Sequence, residues 1–205
     1  ICALGDSITN GYWDDTFQGW FGRLAERISK EHPFKSGSKF GFCNCAYDGD
    51  RITDSFHRLS GEVLNREPDV LLIMIGDNDI LRSPNPDSPV ALTEYARREY
   101  WNRMLDLAQK SIDKIVVFGM IPHINENEIC KGWYDNFYCF NKDKKEYNDF
   151  IENICRSRGI DFVNNWDNWT GDLKEFYEDN QHPNAKGHQK LADEAFAALK
   201  KLGIV

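Results

Sequence analysis

The sequence lacks the features that mark membrane-spanning and nucleic-acid-binding proteins. No apolar run in its 205 residues approaches the ~18 residues that a membrane-spanning helix requires, so we expect no membrane span. Basic residues are outnumbered, with 25 against 33 acidic residues and a formal net charge of −8. This balance disfavours nucleic acid and anionic membranes as partners, and it favours a small neutral or cationic substrate.

Cysteine is also scarce, with six residues in the chain. Four of them fall within apolar strand or helix patterns, where a thiol packs as a small hydrophobic group: Cys2, Cys43, Cys45 and Cys155. The other two, Cys130 and Cys139, lie in one predicted loop, where they would pair with each other or join His123 around a metal. Neither spacing matches a zinc site, so we expect reduced cysteines, no metal and no cofactor.

Short apolar runs alternate with amphipathic stretches, in the pattern of β–α units around a parallel sheet. Five runs predict strands at 1–4, 40–46, 70–75, 115–121 and 160–163. Five stripes of helical period predict helices at 17–28, 52–63, 100–108, 147–154 and 191–199. We therefore predict a single domain spanning 1–205. Its expected fold is a three-layer α/β/α sandwich with a flavodoxin-like, five-stranded parallel sheet in the order 2-1-3-4-5.

Chemically active side chains follow the predicted strands. In an open α/β sheet, ligands bind outside the carboxyl ends of the strands, where the strand order reverses. Ser7 follows the first strand, and Asp179 and His182 precede the last helix. A serine hydroxyl is a weak nucleophile until a base takes its proton, and the base needs a partner that fixes its tautomer. His182 and Asp179, three residues apart in one turn, have the chemistry of that pair.

Two further loops carry candidate donors to an oxyanion. Attack on an ester carbonyl creates this charge, and each donor aimed at it lowers the barrier by roughly 3 to 4 kcal/mol. The candidates are the N–H of Gly49, the side-chain amide of Asn78 and the N–H of Ser7 itself. In the order 2-1-3-4-5 the first strand lies between the second and the third, which places Gly49 and Asn78 on either side of Ser7.

Four separated blocks together resemble the GDSL family, whose members are also called SGNH hydrolases. They are GDS near the start, a glycine after the second strand, G-x-N-D after the third and D-x-x-H-P near the end. The resemblance covers essentially the whole chain and implies a serine hydrolase of the esterase, lipase, thioesterase or carbohydrate-deacetylase kind. It implies that Ser7 is the nucleophile and that His182 and Asp179 complete the triad. Gly49 and Asn78 would be the oxyanion donors.

Other residues are candidates for contact with the substrate. Trp13 follows the nucleophile, and Trp133 belongs to the stretch GWYDNFYCF, whose aromatic side chains suit an acyl pocket or a sugar ring. The same aromatic residues have a second interpretation, as anchors of the loop. His123 and Asp50 are further candidates at the strand ends. Four aspartates beside the oxyanion donors predict an acidic rim that disfavours anionic substrates: Asp48, Asp50, Asp77 and Asp79.

We therefore expect a serine hydrolase that cleaves carboxylic esters with short acyl or acetyl groups, such as an acetylated carbohydrate, through an acyl-enzyme on Ser7. Three alternatives fit the same residues: an O-acyltransferase, a metal phosphoesterase whose Asp, Asn and His side chains bind cations, and a non-catalytic carbohydrate-binding module on the same fold. A cytoplasmic location is expected, or secretion if a signal peptide preceded Ile1.

Overall fold

A parallel sheet of five strands lies at the centre of the molecule. The computed structural model describes residues 1–37, 40–124, 127–129 and 135–205. Its strands are β1 (Cys2–Gly5), β2 (Cys43–Asn44), β3 (Val70–Met74), β4 (Lys114–Phe118), β5 (Asn127–Ile129), β6 (Phe137–Cys139) and β7 (Asp161–Val163). The sheet runs in the order β2-β1-β3-β4-β7 with every pair parallel. This confirms the predicted order, while β5 and β6 form a separate antiparallel hairpin.

Helices cover both faces of the sheet. In the described residues they are α1 (Ser7–Asn10), α2 (Gly19–Glu31), α3 (Ile52–Arg58), α4 (Glu94–Ala108), α5 (Asn141–Ser157), α6 (Asn165–Asn168) and α7 (Ala185–Lys201). Apolar residues of α2 and α7 pack on one face of the sheet, and those of α3, α4 and α5 pack on the other. This is the predicted three-layer sandwich. Within the described residues no helix is long and apolar enough to cross a membrane.

The strand β3 shows why the layers form on both sides. Side chains alternate between the two faces of a strand, and in β3 both sets are apolar. Leu71 and Ile73 enter the core beneath α4, whereas Leu72 and Met74 enter the core beneath α2 and α7. Neither face of such a strand can be left exposed to water. The sequence of β3 therefore requires a layer of helices on each side of the sheet.

Several elements differ from the sequence prediction. The predicted strand at 40–46 has regular strand geometry only at Cys43–Asn44, although backbone hydrogen bonds to β1 continue as far as Tyr47, where the loop that contains Gly49 begins. The predicted helix at 52–63 is α3 followed by a π-helical turn over Leu59–Val63. The last helix, predicted from the apolar stripe at 191–199, begins earlier, at Ala185. The side chain of Asn184 caps that helix by accepting the N–H groups of Lys186 and Gly187.

Candidate active site

Ser7 lies where β1 passes directly into the short helix α1. Asp6 caps this helix, since its carboxylate accepts the N–H of Ile8 at 3.0 Å. Gly5 is required just before it, because a Cβ at this position would lie 2.3 Å from the carbonyl oxygen of Met74. The chain therefore turns sharply at the carboxyl end of β1 and presents Ser7, which is 7% exposed, at the edge of the sheet.

Ser7, His182 and Asp179 form a connected row of hydrogen bonds. The Oγ of Ser7 is 2.9 Å from Nε2 of His182, and Nδ1 of His182 is 2.9 Å from Oδ2 of Asp179. A carboxylate can only accept a hydrogen bond, so Nδ1 carries the proton of the neutral imidazole. Nε2 then presents its lone pair to the Ser7 hydroxyl. The three residues thus have the geometry in which a histidine can take the proton of a serine.

Several donors converge on the carboxylate of Asp179. Its Oδ1 accepts the N–H groups of Gln181 at 2.7 Å and His182 at 2.6 Å, while Oδ2 accepts Nε1–H of Trp13 at 3.2 Å. Burial acts to raise the pKa of Asp179, but the hydrogen bonds and the charge interaction with His182 outweigh it and lower the pKa to about 2. The carboxylate is therefore charged at neutral pH and can stabilise a protonated imidazole.

The loops that follow β2 and β3 are joined to the segment of Ser7. The N–H of Tyr47 donates to the carbonyl of Gly5 at 3.1 Å, which holds the loop of Gly49 against the end of β1. Gly49 has a φ of 79°, a conformation that favours glycine. Nδ2 of Asn78 donates to the carbonyl oxygen of Asp50 at 2.9 Å. The predicted oxyanion donors are therefore tied to each other and to β1.

Comparison with known proteins identifies the family of this chain. The pattern of the GDSL-like Lipase/Acylhydrolase family matches residues 3–190. The chain belongs to this family. It is therefore an acylhydrolase, which agrees with the predicted activity on esters.

Three relatives illustrate how far the similarity extends. The uncharacterized protein YpmR of Bacillus subtilis is 25% identical over 223 residues, which cover 100% of this chain and 82% of YpmR. The esterase TesA of Pseudomonas aeruginosa is 30% identical over 86 residues, or 42% of this chain and 40% of TesA. The crystal structure of the acetyl xylan esterase AlAXEase has a TM-score of 0.75 at 18% identity, covering 97% of this chain and 100% of the esterase.

The remaining predicted substrate contacts of this GDSL-like acylhydrolase have different surroundings. Trp13 is 41% exposed beside Asp179. The carboxylate of Asp50 forms an ion pair with Arg58 and accepts a hydrogen bond from the hydroxyl of Ser55, so both of these partners lie on the helix α3 that follows it. The side chain of His123 is fully buried, and burial together with the Lys144 charge lowers its pKa to about 4. Trp133 and Cys130 lie outside the described residues.

The prediction of an acidic rim is wrong for three of its four aspartates. Asp50 is 9% exposed, Asp77 is 2% exposed and Asp79 is fully buried, which leaves Asp48 as the exposed member. The reason is that each of the three has a partner inside the protein. Asp77 accepts Nζ of Lys144 at 2.8 Å, and Asp79 accepts the hydroxyl of Tyr147 at 2.6 Å and the N–H of Ile52 at 2.9 Å.

These buried groups form a polar floor beneath the site, which we define as Asp6, Asp77, Asp79, Lys144 and Tyr147. Burial and the nearby negative charge of Asp77 raise the pKa of Asp6 well above its ordinary value. Burial acts in the same direction on Asp77, but the Lys144 ammonium outweighs it and lowers the pKa. Sequence reasoning missed Lys144, although it occupies a helical stripe with Tyr147, Asn148 and Ile151, all of which are buried.

Proposed function

We propose that this chain is a serine esterase that cleaves short carboxylic esters through an acyl-enzyme on Ser7. The observation that carries the proposal is the row of two 2.9 Å contacts from Ser7 Oγ to His182 and from His182 to Asp179. The tautomer that Asp179 selects gives His182 a lone pair directed at the serine hydroxyl. Such an arrangement is what nucleophilic catalysis by serine requires.

The reaction begins with proton transfer from Ser7 to Nε2 of His182 as Oγ attacks the ester carbonyl. The oxyanion that forms accepts hydrogen bonds from the N–H groups of Ser7 and Gly49 and from Nδ2 of Asn78. That nitrogen has two hydrogens, of which one binds the Asp50 carbonyl. His182 then gives its proton to the leaving alcohol, and the acyl group stays on Oγ. In the second half, His182 takes a proton from water, which attacks the acyl-enzyme and releases the acid.

Acetyl and other short acyl groups are the proposed substrates, on a carbohydrate or a similar small alcohol. Two observations support this choice. An acetyl xylan esterase shares the fold over 97% of this chain. Trp13 and Tyr12 place aromatic rings at the site, with the Tyr12 ring centroid 5.3 Å from that of His182. Aromatic faces of this kind are suited to contact with sugar rings.

A fluorophosphonate probe tests the serine, because it phosphonylates serines whose hydroxyl a base has activated. Intact-mass and peptide mapping should find one adduct, on Ser7, with and without a chelator. Ser7→Ala should lose the adduct and the hydrolysis of acetyl esters, whereas Ser36→Ala, at a serine of a surface turn, should retain both. An adduct elsewhere, or acetyl ester hydrolysis that survives in Ser7→Ala, would contradict the mechanism.

A series of model esters tests the substrate. With a common leaving group and acyl chains of increasing length, kcat/KM should be highest for acetyl or propionyl and fall as the chain grows. A maximum at long chains would overturn the assignment of short acyl groups, yet it would leave the acyl-enzyme on Ser7 intact. Adding sugar alcohols as acceptors then separates hydrolysis, which releases free acid, from acyl transfer, which gives a new ester.

A further inference from the structure

Three thiols gather on one face of the sheet where β1 pairs with β2, with Cys2 at the opposite end of β1 from Ser7. Cys2 in β1 is aligned with Cys43 in β2, and neighbours in a parallel pair point to the same face of the sheet. Cys45, two residues after Cys43, shares that face. The Sγ atoms of Cys43 and Cys45 are 3.6 Å apart, and the three Sγ atoms all lie within 4.8 Å of one another.

These distances match the edge of a thiolate coordination sphere. A zinc–sulfur bond is about 2.3 Å long, so two sulfurs of a tetrahedral site are about 3.8 Å apart. The Cys43–Cys45 pair is already at this separation, and the remaining contacts need a contraction of no more than about 1 Å. Within the described part of the chain, this is the one group of three ligand-type side chains that has converged in this way.

We propose that Cys2, Cys43 and Cys45 bind one soft d10 cation, Zn²⁺ or Cu⁺, through three thiolates. Soft sulfur ligands select these ions over hard cations such as Mg²⁺ and Ca²⁺. Each thiol gives its proton to water as its sulfur bonds to the cation. The oxidation state of the cation does not change, so no electron donor or acceptor is needed.

A cavity beside the thiols gives the cation a route of entry. It has a volume of about 300 Å³, and its lining includes Cys2, Cys43, Arg66, Glu67 and Asp69. Cys43 is half-buried, whereas Cys2 and Cys45 are 4% exposed. The carboxylates of Glu67 and Asp69 favour approach of a cation. The guanidinium of Arg66 offsets part of the negative charge that three thiolates bring. The cavity thus provides both access and charge balance.

The proposal is independent of the esterase assignment, because it uses no residue of the Ser7 row. From the sequence alone these cysteines are expected to be small hydrophobic groups. The C-x-C of 43–45 lies 41 residues from Cys2, and only the pairing of β1 with β2 brings them together. Ordinary core packing would bury the thiols equally well. Packing alone predicts no affinity for a cation, and this difference can be measured.

Metal titration of the reduced full-length chain, without oxygen, is the experiment that separates the two. Co²⁺ serves as a coloured substitute for Zn²⁺, and Cu⁺ is added in a second arm. We expect one cation per chain by native mass spectrometry and a sulfur-to-cobalt charge-transfer band. Cys43→Ala should weaken binding at least about 100-fold, since one of three ligands is lost. Cys155→Ala, at a buried thiol of α5 outside the cluster, should bind as the unmodified chain does.

A second measurement on the unmodified chain covers the case in which Cys43→Ala does not fold. The rate of alkylation of Cys43 by iodoacetamide, read by peptide mapping, should fall at least about tenfold when Zn²⁺ or Cu⁺ is bound. Protection by Cu⁺ alone would select copper, and protection by both would leave the class of soft d10 cations as proposed. Equal binding by Cys43→Ala, or an unchanged alkylation rate with both cations, would overturn the proposal.

Discussion

Asp179 and Asp79 are the same residue type, and the structure shifts their pKa values in opposite directions. Asp179, beside His182 in the active site, has its pKa lowered to about 2. Asp79, in the polar floor, has a pKa of about 7. Both accept hydrogen bonds from the backbone and from side chains. Hydrogen bonding alone therefore does not decide whether a buried carboxyl keeps its charge.

The difference lies in solvent and in the charge of the partners. Asp179 is half-buried and faces His182, a side chain that can carry a positive charge. Asp79 is fully buried, and its closest partners are the neutral Tyr147 hydroxyl and the Ile52 amide. Burial penalises the charged form unless an opposite charge is near. Asp179 therefore keeps its negative charge beside His182, whereas the carboxyl of Asp79 in the polar floor is easily protonated.

The largest effect on catalysis should come from removing the negative charge of Asp179. Asp179→Asn offers an amide N–H or a neutral oxygen to Nδ1 of His182 and allows the wrong tautomer to form. We expect kcat for acetyl esters to fall about 10³- to 10⁴-fold with little change in KM. The fluorophosphonate reaction at Ser7 should slow in parallel.

Asp172→Asn is the matched control for this variant, because Asp172 caps a surface turn in the same region and asparagine caps equally well. Its kcat should be unchanged. If Asp179→Asn lost less than about tenfold in kcat, Asp179 would not be the residue that orients His182.

The second largest effect concerns the stability that the Lys144 ammonium gives to the polar floor. Lys144 and Asp77 are 2.8 Å apart with side-chain exposures of 0% and 3%. Lys144→Met leaves the Asp77 charge buried without its cation, so we expect the free energy of unfolding to fall by about 3 to 5 kcal/mol in urea titrations. Adding Asp77→Asn to Lys144→Met removes the stranded charge and should restore part of the loss.

Lys145 provides the comparison one residue away. Its ion pair with Asp149 is solvent-exposed, at 42% and 47%, and an exposed pair contributes less than about 1 kcal/mol. Lys145→Met should therefore leave the unfolding free energy almost unchanged. Similar losses for the two variants would mean that the buried pair has no special role.

The two aspartates also predict opposite pH dependences of stability. Asp79 has a folded pKa of about 7 against 3.8 when unfolded, so the native state binds more protons and the unfolding free energy falls as pH rises between these values. Asp179 has a folded pKa of about 2, so its contribution is present above pH 3.8 and is lost as pH falls toward 2.

Unfolding measured from pH 4 to pH 7 covers the range in which Asp79 titrates in the folded protein. Burial also lowers the folded pKa of His123 to about 4, which makes stability rise with pH and partly hides the slope due to Asp79. Subtracting the curve of Asp79→Asn cancels that contribution. The difference should decline as pH rises, and a flat difference would show that Asp79 stays charged throughout.

The residues around Ser7 could be predicted from the sequence more easily than the polar floor, and the reasons are physical. Apolar periodicity predicts the β–α units of a parallel sheet, and in the expected order 2-1-3-4-5 the loops of Ser7, Gly49 and Asn78 are neighbours at the carboxyl ends of the strands. The floor depends on side-chain direction. Asp77 and Asp79 look like surface acids until Lys144 and Tyr147, more than sixty residues away in the chain, are seen to point at them. The thiol cluster likewise requires the pairing of β1 with β2.

The smallest effect concerns Trp13, whose indole N–H donates to the same oxygen of Asp179 that binds His182. Trp13→Phe keeps an aromatic ring at this position and removes only the indole donor. Because the hydrogen bond is 3.2 Å long and partly exposed, we expect kcat to fall about two- to fivefold while KM stays constant. Trp166→Phe, on α6, should change neither constant. A rise in KM at unchanged kcat would instead assign Trp13 to the wall of the substrate site and remove it from the support of Asp179.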